Sequence, residues 1–186
     1  MAAAVRARIG RRPILCFGDS LTTGFGERPY PSQLASMLGV EVIGRGKDGE
    51  RTSDMRERWP RVERECTHAR TVLILGGGND KIRPPEWTVR NLAWLHEQAR
   101  TRLDADVGVL THPPAALEDE RLWDVNDLLR ECVADDKTGR LFLCDTADTC
   151  PTNLIDEVHL SSEGYREMAA IVARSLARHL RVPGHE

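Results

Sequence analysis

Five short apolar runs, separated by stretches of helical periodicity, leave this chain few architectures. Residues 13–17, 40–43, 71–75, 106–110 and 140–144 read as strands. They are runs of aliphatic and β-branched residues rather than alternating patterns, as expected of strands covered on both faces. The segments between them read as helices. Pro31 fits the first turn of one that carries Leu34 and Leu38. Met55, Trp59, Val62, Cys66 and Ala69 recur at helical spacing, with Thr52 or Ser53 as N-cap. Pro60 interrupts that pattern and predicts a kink or two short helices. Leu92, Leu95, Ala99 and Leu103 mark a third helix, and Leu122, Val125, Leu129, Cys132 and Val133 a fourth. The last carries Tyr165, Met168, Ala169, Val172, Leu176 and Leu180 on one face. Strand and helix alternating in this way predict an α/β fold, doubly wound around a five-stranded parallel sheet.

The 186 residues suffice for one domain. No repeat, linker or low-complexity stretch divides them. Residues 13–183 are expected to form that domain, with residues 1–12 as a short, solvated basic tail. That tail holds Arg6, Arg8, Arg11 and Arg12, and no acid precedes Asp19. The whole chain carries 26 Lys and Arg against 29 Asp and Glu, so the charge of −3 is more negative still beyond the tail. A mildly acidic body argues against a nucleic-acid or anionic-membrane partner. No apolar run approaches the roughly 20 residues of a membrane span, and the N-terminus has no apolar signal region. Cys16, Cys66, Cys132, Cys144 and Cys150 show neither CxxC nor zinc spacing, which reads as a reducing, cytoplasmic setting.

In doubly wound sheets, ligands bind at the carboxyl ends of the strands. Gly18-Asp19-Ser20-Leu21-Thr22 follows the first strand. Gly46-Lys47-Asp48-Gly49-Glu50-Arg51-Thr52 follows the second, and Gly76-Gly77-Gly78-Asn79-Asp80 the third. Asp156-Glu157-Val158-His159 lies in the loop after the fifth. These segments supply a hydroxyl, an imidazole, a carboxylate and an amide, the parts of an acyl-transfer site. Ser20 is the candidate nucleophile and His159 its base. Asp156, three residues earlier, is placed to hold the other ring nitrogen. The Asn79 amide and the backbone N–H groups of Gly49 and Ser20 are candidate oxyanion donors. No His, Asp and Glu cluster has metal-ligand spacing, and Gly76-Gly77-Gly78 lacks the rest of a phosphate loop.

Taken in order, these four blocks resemble those of the SGNH (GDSL) hydrolases, over residues 13 to about 180. The resemblance implies a flavodoxin-like three-layer α/β/α sandwich acting on esters or thioesters without a cofactor. It implies Ser20, His159 and Asp156 as triad, and Ser20, Gly49 and Asn79 as oxyanion hole. The second block departs from the family pattern, with Gly44 and Asp48 where Asn and Ser are common. It therefore leaves Gly46 as a rival to Gly49. The lipase-type Gly-x-Ser-x-Gly elbow is absent, which argues against the α/β-hydrolase fold.

Blander readings stand beside these. Ser20 also suits a helix cap, and Asn79 a turn. Asp19 and Asp80 read as hydrogen-bonding supports or turn residues. His112, at the fourth strand end, is a rival base or a substrate-binding wall. His68, His96, His179 and His185 read as exposed, and Trp87 and Trp94 as helix packing. An acyltransferase using the same site, or a non-catalytic binding module on the same fold, are the alternatives to a hydrolase of short acyl or acetyl esters. Nothing here specifies an oligomeric state.

Overall fold

The computed structural model describes residues 1–114, 119–149 and 153–181. Five strands form one all-parallel sheet: β1 (Ile14–Gly18), β2 (Val42–Gly46), β3 (Thr71–Leu75), β4 (Asp106–Leu110) and β5 (Leu141–Cys144). Their order across the sheet is β2-β1-β3-β4-β5. Ile14 pairs with Val42 on one side and Thr71 on the other, Thr71 with Asp106, and Val107 with Leu141.

Every residue of β1 and β3 is buried, whereas the edge strands β2 and β5 are partly open. Successive side chains leave opposite faces of a strand, so each buried strand feeds two cores. Ile14, Cys16, Leu73 and Leu75 face one, while Leu15, Phe17, Val72 and Ile74 face the other. The first core is closed by α3 (Tyr30–Leu38) and α7 (Ser162–His179). The second is closed by α4 (Thr52–Glu65), α5 (Pro85–Arg102) and α6 (Glu120–Ala134). The result is the three-layer sandwich that the alternation predicts. Burying each Leu, Ile or Val side chain contributes roughly 1.5–3 kcal/mol. The apolar face of α7 (Tyr165, Met168, Val172 and Leu176, all wholly buried) is therefore a principal support of the sheet.

Local expectations are revised in several places. The N-terminal segment is not a solvated tail: α1 (Ala2–Ile9) is a helix whose Val5 is fully buried in the α3–α7 core. Alanine and arginine both have high helix propensity, and Ala4 and Ile9 pack beside Val5 on that core. Helix α4 passes through Pro60 as one element rather than two. Pro60 faces solvent, and burial of Met55, Trp59 and Val62 compensates the missing N–H. Its N-cap is Arg51, not Thr52 or Ser53, with Asp54 accepting from the Arg51 N–H at 3.2 Å. Strand β2 extends to Gly46, because the Gly44-Arg45-Gly46 backbone pairs with Cys16, Phe17 and Gly18 whatever its propensity.

His96 is likewise buried rather than exposed, and burial holds its pKa down at about 4. His179 stacks on Phe142 and bonds Asp106 at 3.1 Å, while His68 is exposed. Trp94 packs against the second core, with Arg56 over its ring. Cys16, Cys66, Cys132 and Cys144 are free. Cys150, His185 and the boundary at residue 183 lie outside the described residues. Among the described residues, no helix is long and apolar enough to cross a membrane, and no group of three or more His, Cys, Asp or Glu is placed to hold a metal ion.

Candidate active site

The strand order reverses between β1 and β3, and a crevice forms where the two chains leave the sheet in opposite directions. After β1 the chain turns directly into a one-turn helix, α2 (Ser20–Thr23). Asp19 caps it, its Oδ1 accepting from the Leu21 N–H at 3.0 Å. Ser20 thus sits at the first helical position, with its hydroxyl in the crevice. It has an imidazole partner: His159 Nε2 lies 2.9 Å from Ser20 Oγ. His159 Nδ1 lies 2.8 Å from Asp156 Oδ2. The other Asp156 oxygen accepts from the backbone N–H groups of Val158 and His159, at 2.7 and 2.6 Å. This acid–imidazole–hydroxyl chain is the arrangement in which a hydroxyl becomes nucleophilic. Partial burial pushes the Asp156 carboxyl up, but those hydrogen bonds outweigh it and hold its pKa at about 2. Asp156 is therefore ionised at every ordinary pH.

The opposite wall is supplied by β2 and β3. Asn79 follows β3 and donates one amide hydrogen to Glu50 O at 3.0 Å, which leaves the second hydrogen of the same Nδ2. Gly49 (φ +69°) has open space where a side chain would stand, and it lines the cavity beside Ser20, Asn79 and His159. Gly46 does not line it. A Cβ there would meet Thr23 and the Asp19 carbonyl oxygen at 2.7–2.9 Å, so Gly46 serves the close approach of β2 to α2. Of the two rival glycines, only Gly49 reaches the site.

Two buried carboxylates fix this wall. Asp80 accepts from the Thr52 N–H, the Thr52 hydroxyl and the Thr88 hydroxyl at 3.1, 2.6 and 2.9 Å. It thereby ties the end of the Gly49 loop to α5, which explains why Thr52 is not free to cap α4. Glu50 takes both of its oxygens to Arg58 Nε, at 2.7 and 3.0 Å. Arg58 in turn donates to the backbone oxygens of Arg45 and Gly18, at 3.1 and 3.2 Å. Asp19 also borders the cavity, and burial raises its pKa to about 7, helped by the charges of Asp80 and Glu50.

The cavity encloses about 380 Å³, with Leu21, Phe25, Leu122 and Val158 as its apolar lining. His112 is part of its wall but not the partner of Ser20. Its Nε2 lies 2.8 Å from Gly76 O, its backbone is clasped by Asn126, and burial lowers its pKa to about 4. A separate groove of about 450 Å³ lies between α5 and α6, and it contains no hydrogen-bonded hydroxyl–imidazole pair. Several contacts had no sequence signal: the Glu50–Arg58 bridge, Arg121 donating to Gly77 O at 3.0 Å, and Phe25 stacked on His159. The last two pair residues distant in sequence, and the first links the loop after β2 to α4 across eight residues.

The family model for GDSL-like lipases and acylhydrolases matches residues 16–167. A lipolytic protein of the G-D-S-L family from Veillonella parvula DSM 2008 is 24% identical, with a TM-score of 0.73 over 89% of this chain and 98% of that one. The lipase/acylhydrolase from Enterococcus faecalis is 22% identical, with a TM-score of 0.70 over 90% and 96%. A family 3 carbohydrate esterase from Clostridium thermocellum is 18% identical, with a TM-score of 0.74 over 91% and 97%. At these identities the structural likeness speaks for the fold. No curated protein matches the chain in sequence.

Proposed function

The chain belongs to the GDSL-like lipase/acylhydrolase family and is a carboxylic ester hydrolase of it; on that footing we propose that it works through an acyl-enzyme on Ser20. The carrying observation is the hydrogen-bonded sequence Asp156–His159–Ser20 at the mouth of a cavity edged by Asn79 and Gly49. Ser20 Oγ attacks the substrate carbonyl carbon as its proton passes to His159 Nε2. Asp156, ionised and bonded to Nδ1, fixes the tautomer and stabilises the imidazolium. The carbonyl oxygen becomes an anion held by the free Asn79 amide hydrogen and the N–H groups of Gly49 and Ser20. One such donor is worth on the order of 2.7–4 kcal/mol in the transition state. His159 then returns the proton to the leaving oxygen or sulfur. It next takes one from water as that water attacks the acyl carbon, and passes it to Ser20 Oγ as the carbon–Oγ bond breaks and the acid leaves.

The small apolar lining favours short acyl groups, acetyl included, on a small-molecule oxygen or thioester. His112, neutral at physiological pH, serves as a wall that shapes the pocket. Free thiols at Cys16, Cys66, Cys132 and Cys144 fit action in the reducing cytoplasm. The chemistry of the triad calls for no cofactor.

The test is hydrolysis of p-nitrophenyl esters from acetate to palmitate by the wild type and Ser20→Ala. Turnover abolished in the variant and falling with chain length is the expected result. Full activity in Ser20→Ala would overturn the nucleophile, and a preference for palmitate would overturn the short-acyl reading.

A further inference from the structure

Phe25 stands at φ +47°, a left-handed conformation that disfavours residues with a Cβ, between two left-handed glycines, Gly24 and Gly26. It is also 47% exposed, so burial does not account for an aromatic side chain at a strained position. Its ring lies against the His159 imidazole, with centroids 3.9 Å apart and planes within 8°. The two edges of that imidazole are taken by Asp156 and Ser20. Phe25 takes a face.

The backbone around Phe25 is fastened to both halves of the site. The Thr23 hydroxyl accepts from the Phe25 N–H at 3.3 Å and donates to Ser20 O at 3.0 Å. Glu27 Oε2 accepts from the Ser162 N–H at 3.0 Å, three residues beyond His159. The Arg28 N–H donates to Ser162 Oγ at 3.0 Å, and Gln33 Nε2 to Ser162 O at 2.6 Å. The 23–28 turn is thus a strap from the nucleophile helix to the start of α7.

We propose that Phe25 is a positioning residue for ester hydrolysis: its ring face holds the His159 imidazole in the plane that joins Asp156 to Ser20. This rests on the triad reading above. Rotation of the imidazole about its side-chain bonds would break both edge bonds together, and a flat surface at van der Waals distance opposes that rotation. The same face lies against the ring when it carries the proton, where an aromatic quadrupole favours the cation. The effect is therefore felt in the chemical step more than in substrate binding.

The experiment compares Phe25→Gly, Phe25→Leu and Phe25→Tyr with wild type on p-nitrophenyl acetate, alongside thermal melting. Phe25→Gly is expected to lower kcat about tenfold and to raise KM by less than that, since the ring also lines the cavity. Its melting temperature is expected to move little, since relief of the positive φ offsets the loss of a half-exposed ring. Phe25→Leu should remain slow and Phe25→Tyr should recover the wild-type kcat. Unchanged kcat in Phe25→Gly, a change in KM alone, or no recovery in Phe25→Tyr would overturn the proposal. The contact is read independently of turnover by the His159 ring-proton NMR signal in Ser20→Ala protein. An upfield shift that disappears in Phe25→Leu supports the stack, and no upfield shift overturns it. Activity surviving in Ser20→Ala would instead indict the triad.

Discussion

Ser20 and Asn79 stand at the ends of β1 and β3, the two strands buried along their whole length, whereas Asp156 and His159 stand on a segment that joins no strand of the sheet. The first pair is held through buried polar groups: Asp80 and Glu50 are 1% and 3% exposed. The second is held by an isolated bridge between Leu154 and Leu160, the short bonds to Asp156, and the strap carrying Phe25. Ile155 and Val158 on that segment are exposed. The proposed nucleophile and oxyanion wall are therefore by-products of the fold, made rigid by the burial that makes the sheet. The proposed acid–base pair is local, and altering it is expected to leave the fold intact. Stability and catalysis are coupled in one region and separable in the other.

The largest effect that tests this contrast is His159→Ala. It removes the base and is expected to lower kcat by at least about 10³-fold. Its melting temperature should move by less than about 4 °C, as for roughly 1 kcal/mol in a domain of this size. Kinetics and thermal melting on the same preparation check both. If the protein melts far lower, the 153–162 segment is part of the cooperative core and the contrast fails.

Asp80→Ala is the opposite case. It strips the acceptor from the Thr52 N–H and from the hydroxyls of Thr52 and Thr88, all buried. Leaving these donors unpaired should cost about 3 kcal/mol, or roughly 6–12 °C in melting temperature. Activity should fall as well, because the chain carrying Gly49 and the turn carrying Asn79 lose their common tie. A variant that melts like the wild type would show that the oxyanion wall does not depend on the buried network.

The same contrast accounts for what the amino-acid sequence discloses. Residues 71–75 and 106–110 are apolar on both faces, so their limits as strands are visible directly, and the residues just past each strand mark the crevice. Ser20, Asn79, Asp156 and His159 stand out as candidates because each sits within a few residues of such a landmark or of the last helix. Strand order is another matter: local patterns are silent about which strand lies next to which, and only the family resemblance supplies it. Side-chain partners are equally silent. His96 has the local context of a surface residue and is buried because α5 packs on α6. Thr52 looks like a cap and is claimed by Asp80, 28 residues away. Phe25 sits between glycines in what reads as a plain turn, and its role depends on a ring 134 positions later. Met1 to Arg12 looks solvated because its anchor is small: Val5, with Ala4 and Ile9 packed beside it.

The two regions should also respond to pH in opposite directions. Asp19, 2% exposed, has its pKa raised from 3.8 to about 7, chiefly by burial. Between these values the unfolded chain gives up a proton that the folded protein keeps. Stability contributed at this site therefore falls as pH rises from about 4 to about 7. Asp156 is displaced the other way, to about 2, so its contribution is present above about 4 and lost as pH falls through about 2. Asp19→Asn isolates the first effect. Asparagine keeps an oxygen for the Leu21 N–H and cannot ionise. Relative to wild type, the variant should gain melting temperature between pH 5 and pH 8, by about 2–8 °C for roughly 1–2 kcal/mol. Paired melting curves across that range provide the check. A difference that stays constant from pH 5 to 8 would mean that Asp19 is ionised in the fold throughout, and that the strand-end region is more hydrated beneath Ser20 than its burial implies.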